Sequence, residues 1–479
     1  MALAVVANLN SQGYTSTLLD YDRVPNASHF IEIDDGNFLI RSLNSVDDTA
    51  ATSLIIVDSL FDVVEIIDYK NILFTRNCPL RDEASNYHFF ATDAEKEDTY
   101  LFGILDQDFY TDTLTEVIYD VEDGGATAFD YFNGHTIGAL ANYSDCNGKV
   151  CGYVELLKIK TDNETVGTQL DPEENYYFTF EVDHLADGHI ITGGNRYSDD
   201  LDNAIVYKLT PDGNIVWKYY GADEQSRGNV PVWVEELSDG NIIYSDKIKD
   251  STSLDRPTKI VWLSPQGEYI RQWEDETSRE EIVEISGIQK GKGGYFFVYG
   301  NTGYETAAGE SAIYGYIYKF DNDGTVIWQH WYGHSEFPTG SHNIRDLIEL
   351  DNGDIVTLGR ANIPGEQRYI WMMRLDEHGC FGTSDCGEEV ISTSTTETVL
   401  PATTVVLYPS PATNELHIHT DYHGRYYSAS IYSPDGTTVY QQALAHDATI
   451  DISSLLPGSY IAILRDTDGL SHSQKIVVY

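Results

Sequence analysis

The fold class is decided by HLADGHIITGGN at residues 184–195 and AIVYKLTPDGNIVWKYYG at residues 204–221. Each segment is an apolar run, a turn that contains Asp-Gly, and a second apolar run. Val, Ile and Tyr favour strands, and Asp-Gly between such runs predicts a tight hairpin with a type I′ turn. Residues 184–221 therefore predict four antiparallel strands in two hairpins.

The same unit recurs along the chain. Close copies are ELSDGNIIYSD with KIVWLSPQGEYIRQWED (236–275), QKGKGGYFFVYGN with YIYKFDNDGTVIWQHWYG (289–333), and ELDNGDIVTLGR with YIWMMRLDEHGCFG (349–382). Three fainter copies begin near residues 30, 87 and 129. The turn glycines Gly134, Gly188, Gly240, Gly294 and Gly353 are 54, 52, 54 and 59 residues apart, and Gly36 precedes Gly134 by 98 residues, or two steps.

Seven four-stranded units of this period predict an all-β fold, a seven-bladed β-propeller over residues 13–390. A β-helix and tandem β-sandwiches are the alternatives. Residues 14–24, YTSTLLDYDRV, are expected to add a strand to the last blade and join the two ends. Trp217, Trp273 and Trp328 occupy one position of the repeat, and we expect them to dock between blades.

These blades resemble a propeller family of secreted Bacteroidetes proteins, whose units read VKLDxxGNIxWxxxYGG followed by DGGYIVAG. The resemblance covers roughly residues 28–390 and is strongest in the last four units. The Trp position is also similar to that of quinoprotein blades. A quinone-dependent enzyme would be expected to have two adjacent Cys, and no two Cys are adjacent here.

The last 75 or so residues contain short strands broken by Pro or Asp-Gly turns, which predicts a small immunoglobulin-like β-sandwich over residues 405–479. The motifs LYPSPA, IYSPDG, DISSLLPGSYI and SQKIVVY occur in that order. They resemble the type A C-terminal sorting domain of the type IX secretion system of Bacteroidetes. The residues that match are Tyr408, Pro409, Pro411, Asp451, Gly458, Tyr460 and Lys475, whereas Ser410 and Tyr479 replace the family's usual Asn and Lys.

This resemblance implies recognition by the type IX secretion machinery and passage through the periplasm. The protein is then expected to be released or anchored at the outer cell surface. Residues 1–12 include an apolar stretch that we interpret as a possible remnant of a signal peptide, and a short buried strand is the alternative. Residues 391–404 are rich in Ser and Thr and are expected to form an exposed linker.

The chain has 77 acidic and 29 basic residues among 479, with a net charge of −48. Nucleic acid is therefore excluded as a partner and an anionic membrane surface is disfavoured, since both require clustered Lys and Arg. The acidity is typical of a solubilising surface, and Ca²⁺ binding is the alternative, although no EF-hand loop is present. No apolar run approaches the roughly 18 residues of a transmembrane helix.

The five Cys indicate disulfides rather than a metal site. Cys380 and Cys386 bracket FGTSD, and Cys146 and Cys151 bracket NGKV, where a hairpin would place them opposite each other. Both pairs are expected to be bridged in an oxidising compartment, and Cys78 is expected to be a buried apolar residue. Neither pair has a second CxxC or a His pair nearby, which argues against zinc.

No catalytic motif or cofactor fingerprint is present, so no cofactor is predicted. Long segments after Tyr219 and His330 combine aromatic, His and acidic residues, as expected of a face that binds a glycan or peptide. The candidate ligand-face residues are Tyr220, Asp223, Trp331, Tyr332, His334, Glu336 and His342, and ordinary loop packing is the alternative.

These observations favour an exported propeller that binds an extracellular glycan or protein without catalysis. A secreted propeller lyase or hydrolase is the first alternative. A structural surface or adhesin component is the second.

Overall fold

The computed structural model describes 15–21, 26–33, 36–46, 49–75, 79–82, 85–96, 99–105, 109, 111–118, 125–132, 135–145, 150–159, 165–170, 176–197, 202–221, 232–247, 258–274, 284–305, 311–334, 340–362, 368–382, 386–387, 389–392, 395–399, 405–408, 414–420, 427–433, 438–444, 449–466 and 471–478. The chain divides into two compact units, Met1–Val399 and Leu400–Tyr479. In these ranges no helix is long and apolar enough to cross a membrane.

The first unit consists of antiparallel sheets that follow one another along the chain. The first two are β2 (Asn26–Glu32), β3 (Phe38–Val46), β4 (Thr49–Val57) and β5 (Val63–Lys70), then β6 (Ile72–Phe74), β7 (Leu80–Arg81), β8 (Tyr87–Asp93), β9 (Thr99–Leu105) and β10 (Thr111–Ile118). The next two are β11 (Gly125–Phe132), β12 (His135–Asp145), β13 (Val150–Ile159) and β14 (Thr165–Leu170), then β15 (Tyr176–His184), β16 (Ile190–Tyr197), β17 (Asp202–Leu209) and β18 (Ile215–Tyr220).

Three further blade-like groups of strands complete this unit, and a parallel bridge between Ile313 and Ser341 joins the last two groups into one sheet. They are β19 (Val234–Glu236), β20 (Ile242–Lys247), β21 (Thr258–Leu263) and β22 (Tyr269–Glu274), then β23 (Glu284–Lys290), β24 (Tyr295–Glu305), β25 (Ser311–Asp321) and β26 (Val326–His334), and last β27 (Ser341–Glu349), β28 (Ile355–Asn362) and β29 (Arg368–Leu375) with β1 (Thr15–Tyr21). These blade-like sheets make the unit an all-β propeller. The total of seven blades stays a prediction.

The N-terminal strand completes the last sheet, as the sequence predicted. β1 pairs antiparallel with β29 from Thr15 opposite Arg374 to Asp20 opposite Tyr369. Leu18 and Leu19 are buried on opposite faces of this strand. The two ends of the propeller are therefore joined by main-chain hydrogen bonds.

Each sheet packs on the next through its apolar faces. One buried cluster joins the fourth and fifth sheets and includes Val206, Val234 and Val261. Another joins the last sheet to the first and includes Leu358 and Phe30. The core is consequently divided among the spaces between neighbouring sheets, as in other propellers.

The hairpin turns differ from the predicted type I′. In the turn after β15, the Gly188 N–H donates to Leu185 O and the Leu185 N–H donates to His189 O, each at 2.8 Å. Gly188 has φ +81°, whereas Asp187 is not among the described non-glycine residues with positive φ. This pattern fits a three-residue loop in which only the glycine is left-handed. Asp187 instead accepts the His189 N–H through its side chain at 2.9 Å.

The predicted inter-sheet Trp contacts are confirmed. Trp217 Nε1 donates to Pro265 O in the next sheet at 3.0 Å, and Trp328 Nε1 donates to Glu377 O at 3.2 Å. Trp273 packs edge-on against Phe320 at 5.0 Å between ring centroids. Trp217 and Trp328 thus donate a hydrogen bond to the following sheet, and Trp273 packs its ring against that sheet.

The Cys380–Cys386 disulfide is confirmed, with 5.8 Å between the Cα atoms. Cys78 and Cys146 lie outside the described residues, so the Cys146–Cys151 bridge stays a prediction. The prediction of an exposed linker over residues 391–404 is wrong where the structure describes this segment. There β30 (Glu389–Ser392) pairs with β26 and β31 (Thr395–Val399) pairs with β1, both in parallel. Ser and Thr are compatible with edge strands, so their abundance alone did not distinguish a strand from a linker.

The second unit contains two sheets. They are β32 (Val405–Tyr408), β33 (Glu415–Thr420) and β36 (Thr449–Asp451), and β34 (Tyr427–Tyr432), β35 (Thr438–Leu444), β37 (Gly458–Asp466) and β38 (Ser471–Val478). Leu416 and Ile450 of one sheet share a buried cluster with Ile431 and Ile476 of the other. The unit is therefore a small two-sheet structure, and its immunoglobulin-like topology stays a prediction.

Candidate functional site

The predicted ligand-face residues are placed mainly in the interior. Asp223 and Glu336 lie outside the described residues, and Tyr220 is half-buried beside Lys218, whose Nζ lies 5.5 Å from its ring centroid. Trp331 and Tyr332 are buried, and the Tyr332 hydroxyl donates to Gly379 O at 2.9 Å. These aromatic side chains therefore contribute to packing.

His334 and His342 form a buried ring pair with 6.5 Å between centroids. Burial lowers the pKa of His334 to about 4. Burial and the neighbouring His334 lower the pKa of His342 to about 4 as well. Both rings are neutral near pH 7 and present no exposed surface to a ligand.

A polar cavity of about 90 Å³ is formed instead by the first strands of several sheets. Most of its lining comes from β2, β15, β23 and β27 and from the residue before β19. The lining residues are Ser28, His29, Glu181, Trp233, Ser286, Gly287, Ile288, Gln289, Tyr299, Arg345 and Asp346.

Five of the lining residues occupy one position of the repeat. His29, Glu181, Trp233, Gly287 and Asp346 each lie seven residues before a turn glycine, at 36, 188, 240, 294 and 353 respectively. The strand register shifts directly before four of these positions. The exception is Trp233, which lies just before β19. Because a β-bulge re-aims the side chains beside it, three of the four bulges direct a polar side chain, that of His29, Glu181 or Asp346, into the cavity, whereas the fourth precedes Gly287.

Asp346 organises one side of the cavity. Its Oδ2 accepts hydrogen bonds from His29 Nδ1 at 2.8 Å and from the Phe30 N–H at 3.0 Å. Its Oδ1 accepts from the Leu347 N–H at 2.9 Å and lies 3.3 Å from the Tyr299 hydroxyl. A carboxylate with four donors is fixed in place and is poorly suited to act as a nucleophile.

His29 has one nitrogen available to a ligand. Because Nδ1 bonds to Asp346, the ring orientation is fixed, and Nε2 is buried with no hydrogen-bond partner among the described residues. The side chain is 17% exposed, so solvent reaches the ring. Nε2 can therefore accept a hydrogen bond, or a proton, from a group that enters the cavity.

Glu181 is the counterpart of Asp346 in another sheet. Its Oε2 accepts the Val234 N–H of the next sheet at 2.8 Å, just as Asp346 accepts the Phe30 N–H. The two carboxylates thus join neighbouring sheets at equivalent positions. Charge-assisted hydrogen bonds of this kind contribute about 1.5–3 kcal/mol each.

A cluster of acids lies near this site. Desolvation, and then the charge of Asp130, raise the pKa of Asp183 to about 8. Desolvation, followed by the charges of Asp183 and Glu181, also raises the pKa of Glu235 well above its usual value, although Lys290 opposes the shift. Asp183 is therefore expected to hold a proton near neutral pH, which limits the negative charge around the cavity.

Arg345 supplies the positive charge of the cavity wall. Its side chain is 21% exposed, and Nη1 lies 3.9 Å from Glu284 Oε1. The guanidinium is therefore partly shielded from water while keeping donors for a ligand acceptor. The site combines Arg donors, an imidazole acceptor and two carboxylates in a small volume.

This site lies in the strands, whereas the sequence pattern pointed to the segments between blades. The strand residues His29, Glu181 and Asp346 are polar positions within apolar runs. Alignment of the units on their turn glycines places them in one column and provides the signal that was overlooked. The bulges that aim them inward depend on pairing with the next strand, which no local pattern reveals.

The sorting-motif residues are only partly described. Pro409 and Pro411 lie outside the described residues, and Tyr408 and Lys475 lie in β32 and β38. The side chain of Asp451 is exposed and accepts the Ser453 N–H at 2.9 Å. Tyr460 is buried, and its hydroxyl donates to Leu456 O at 2.6 Å. Their role in sorting stays a prediction.

Comparison with family models supports the assignment of the tail. Residues 406–479 match the secretion system C-terminal sorting domain. The chain is therefore a cargo of the type IX secretion pathway, and it is secreted or displayed at the cell surface. No curated protein matches the chain.

Several solved structures resemble the chain at low identity. An acylaminoacyl peptidase bound to a chloromethyl ketone is 10% identical with a TM-score of 0.43, and the match covers 83% of this chain and 58% of the peptidase. The β-propeller domain of the trilobed protease of Pyrococcus furiosus is 10% identical with a TM-score of 0.42, over 73% and 94% of the two chains. An ulvan lyase bound to an oligosaccharide is 10% identical with a TM-score of 0.41, over 73% and 78%. The chain spans less than two thirds of the first of these proteins.

Proposed function

We propose that this exported propeller binds an extracellular glycan or protein through a polar group that enters the cavity, without catalysis. The convergence on one cavity of equivalent positions from five sheets, three of which carry the polar side chains His29, Glu181 and Asp346, supports this function most directly. Rigid strands hold these side chains, and binding sites of this kind lose little entropy on association.

The size of the cavity limits what enters it. A cavity of about 90 Å³ has room for several ordered water molecules. We expect one hydroxymethyl, amide or short side-chain group of the ligand to enter it. The remainder of the ligand would lie outside the cavity.

Charge favours a neutral or cationic group. Glu181 and Asp346 oppose Arg345 in the lining, and the whole chain carries a net charge of −48. Long-range repulsion therefore disfavours anionic ligands. A hydroxyl or amide can accept from Arg345 and donate to His29 Nε2, which uses the polar atoms that the described contacts leave available.

The test is a binding screen with the purified protein on glycan arrays and on proteins from the same extracellular environment. Arg345→Ala is expected to weaken binding of a hit about 10- to 100-fold, the range for a hydrogen bond to a charged group. Arg368→Ala, at an exposed position of β29, is the matched control and should leave affinity unchanged. Equal affinity of both variants and the wild type would contradict binding in this cavity.

A second candidate function is general-base catalysis by the His29–Asp346 pair. The observation that favours it is a His held by a carboxylate through Nδ1, with Nε2 buried and available. A lyase or hydrolase activity is then expected on one member of a polysaccharide panel, with a 10²- to 10⁴-fold loss in His29→Gln, the range for general acid–base catalysis. A panel without turnover, or with equal turnover by His29→Gln, would reject this candidate.

A further inference from the structure

A second polar cluster lies away from the cavity, where β26 meets the segment after β29. His330, Cys380 and Cys386 each offer one potential metal-ligand atom, and these atoms lie within 4.8 Å of one another. In this structure the two sulfurs are joined as a disulfide. His330 is 50 residues before Cys380, so only the fold brings the imidazole to the sulfurs.

The His330 ring has one nitrogen that is hydrogen-bonded and, among the described residues, one that is not. Its Nε2 lies 2.9 Å from His378 O, and because a carbonyl only accepts, Nε2 carries the hydrogen. Its Nδ1 is buried and has no hydrogen-bond partner within the described part of the chain. A ligating His commonly donates its second N–H to a backbone carbonyl, which fixes the tautomer and directs the other lone pair to the metal.

Packing holds this ring in place. Trp328 stacks on His330 with 5.1 Å between centroids, and Tyr332 meets its edge at 6.2 Å. Cys380 is buried, while Cys386 is half-buried. A cation can therefore reach the site from the side of Cys386, and the ligands would not require a large rearrangement of β26.

We propose that reduction of the Cys380–Cys386 bridge converts this cluster into a binding site for a thiophilic divalent cation such as Zn²⁺. The ligands are the two thiolates and a ring nitrogen of His330, and a water molecule completes the set. Thiolate and imidazole ligands favour zinc over Mg²⁺ or Ca²⁺. Zn–S and Zn–N bonds of about 2.3 and 2.0 Å place tetrahedral ligand atoms about 3.5–4 Å apart. The two sulfurs must therefore separate after reduction, whereas the His330 ligand atom already lies within 4.8 Å of them.

The reaction balances with an external reductant. A dithiol supplies two electrons and two protons, the S–S bond breaks, and the dithiol becomes a disulfide. The cation then displaces one proton from each Cys thiol and forms two S–metal bonds and one N–metal bond. The same two residues thus join this part of the propeller through a covalent bridge when oxidised and through a metal ion when reduced.

The test uses the full-length protein and Co²⁺ as a spectroscopic substitute for Zn²⁺. The bridge is reduced with a phosphine, which takes up the oxygen of one water molecule, and the reductant is removed under anaerobic conditions. Reduced wild type is expected to show thiolate-to-cobalt charge-transfer absorption that Zn²⁺ abolishes. Oxidised wild type is expected to show none, and this comparison requires no substitution.

Variants assign the signal to this cluster, because the reduced protein has other Cys residues. The double variant C380S/C386S should lose one equivalent of bound Co²⁺. His330→Gln should weaken that equivalent at least about tenfold, the smallest effect usual for disturbing a metal ligand's surroundings. His378→Gln is the matched control, since it alters an exposed ring but retains the backbone carbonyl, and it should bind like the wild type. Equal Co²⁺ binding by wild type, C380S/C386S and His330→Gln, or no binding by reduced wild type, would overturn the proposal.

Discussion

At the residue scale, the turn glycines perform two separate tasks. Gly188 and Gly267 have φ values of +81° and +79°, which a residue with a Cβ adopts only at a cost. A Cβ at Gly188 would meet no atom within 4 Å, whereas a Cβ at Gly267 would lie 2.6 Å from Cδ2 of Trp217. Gly267 therefore also provides the surface on which Trp217 docks.

We expect Gly267→Ala to destabilise the protein more than Gly188→Ala. Both variants incur the left-handed penalty of about 1–2 kcal/mol. Gly267→Ala must also displace the indole, and overpacking typically costs about 1–3 kcal/mol more. Denaturant unfolding measures the difference, and a larger loss in Gly188→Ala would contradict the assigned role of Trp217.

Asp183 should make stability depend on pH. Its folded pKa of about 8 exceeds the unfolded value of about 3.9, so the folded state binds the proton more tightly. The resulting stabilisation is fully present below about pH 4 and is lost as the pH rises toward 8. Asp183→Asn should reduce the loss of unfolding free energy between pH 5 and pH 8.

Asp187→Asn serves as the control of opposite sign. Burial opposes ionisation of Asp187, but its hydrogen bond to Lys208 and that residue's charge lower the pKa to about 2. Its contribution is present above about pH 4 and falls as the pH drops toward 2. Asp187→Asn should therefore lower stability at pH 8, and a parallel pH profile for the two variants would refute the assigned environments.

The sequence alone predicted those features that depend on residues close together in the chain. The strands, the turn glycines, the docking Trp residues and the Cys380–Cys386 bridge follow from spacing and composition. The cavity does not, because Asp346 reaches His29 across 317 residues. The approach of His330 to Cys380 likewise depends on packing between sheets rather than on sequence neighbourhood.

At the element scale, β1 is the strand that joins the two ends of the propeller. It contacts β29 on one edge and β31 on the other. Leu18 belongs to the cluster with Trp371 and Val390, and Leu19 to the cluster with Phe30. One short strand therefore stabilises two inter-sheet cores. Its place in the last sheet was predicted from the need of a propeller ring to close.

Leu18→Ala and Leu19→Ala should each lower the free energy of unfolding by about 2–5 kcal/mol, the usual cost of truncating a buried Leu. Leu60→Ala is the matched control, because Leu60 is 48% exposed, and its cost should be below about 1 kcal/mol. Denaturant unfolding provides the comparison. If all three variants unfold alike, β1 does not join the ends in solution.

At the scale of the whole molecule, the first strands of the propeller sheets form the cavity, and the C-terminal tail is the sorting domain. Polar residues at one position of the repeat supply the cavity, while carboxylates at that position also hold neighbouring sheets together. The tail matches a sorting domain that directs export. Because this tail belongs to a separate compact unit, its removal should leave the propeller folded.

The most direct test of this account is fractionation of a Bacteroidetes host that expresses the full chain or a chain lacking residues 406–479. The full chain is expected in the medium or on the outer cell surface. The truncated chain is expected to accumulate folded in the periplasm, with its Cys380–Cys386 bridge intact. An identical distribution of both chains, or a full chain retained in the cytoplasm, would contradict export through the C-terminal domain.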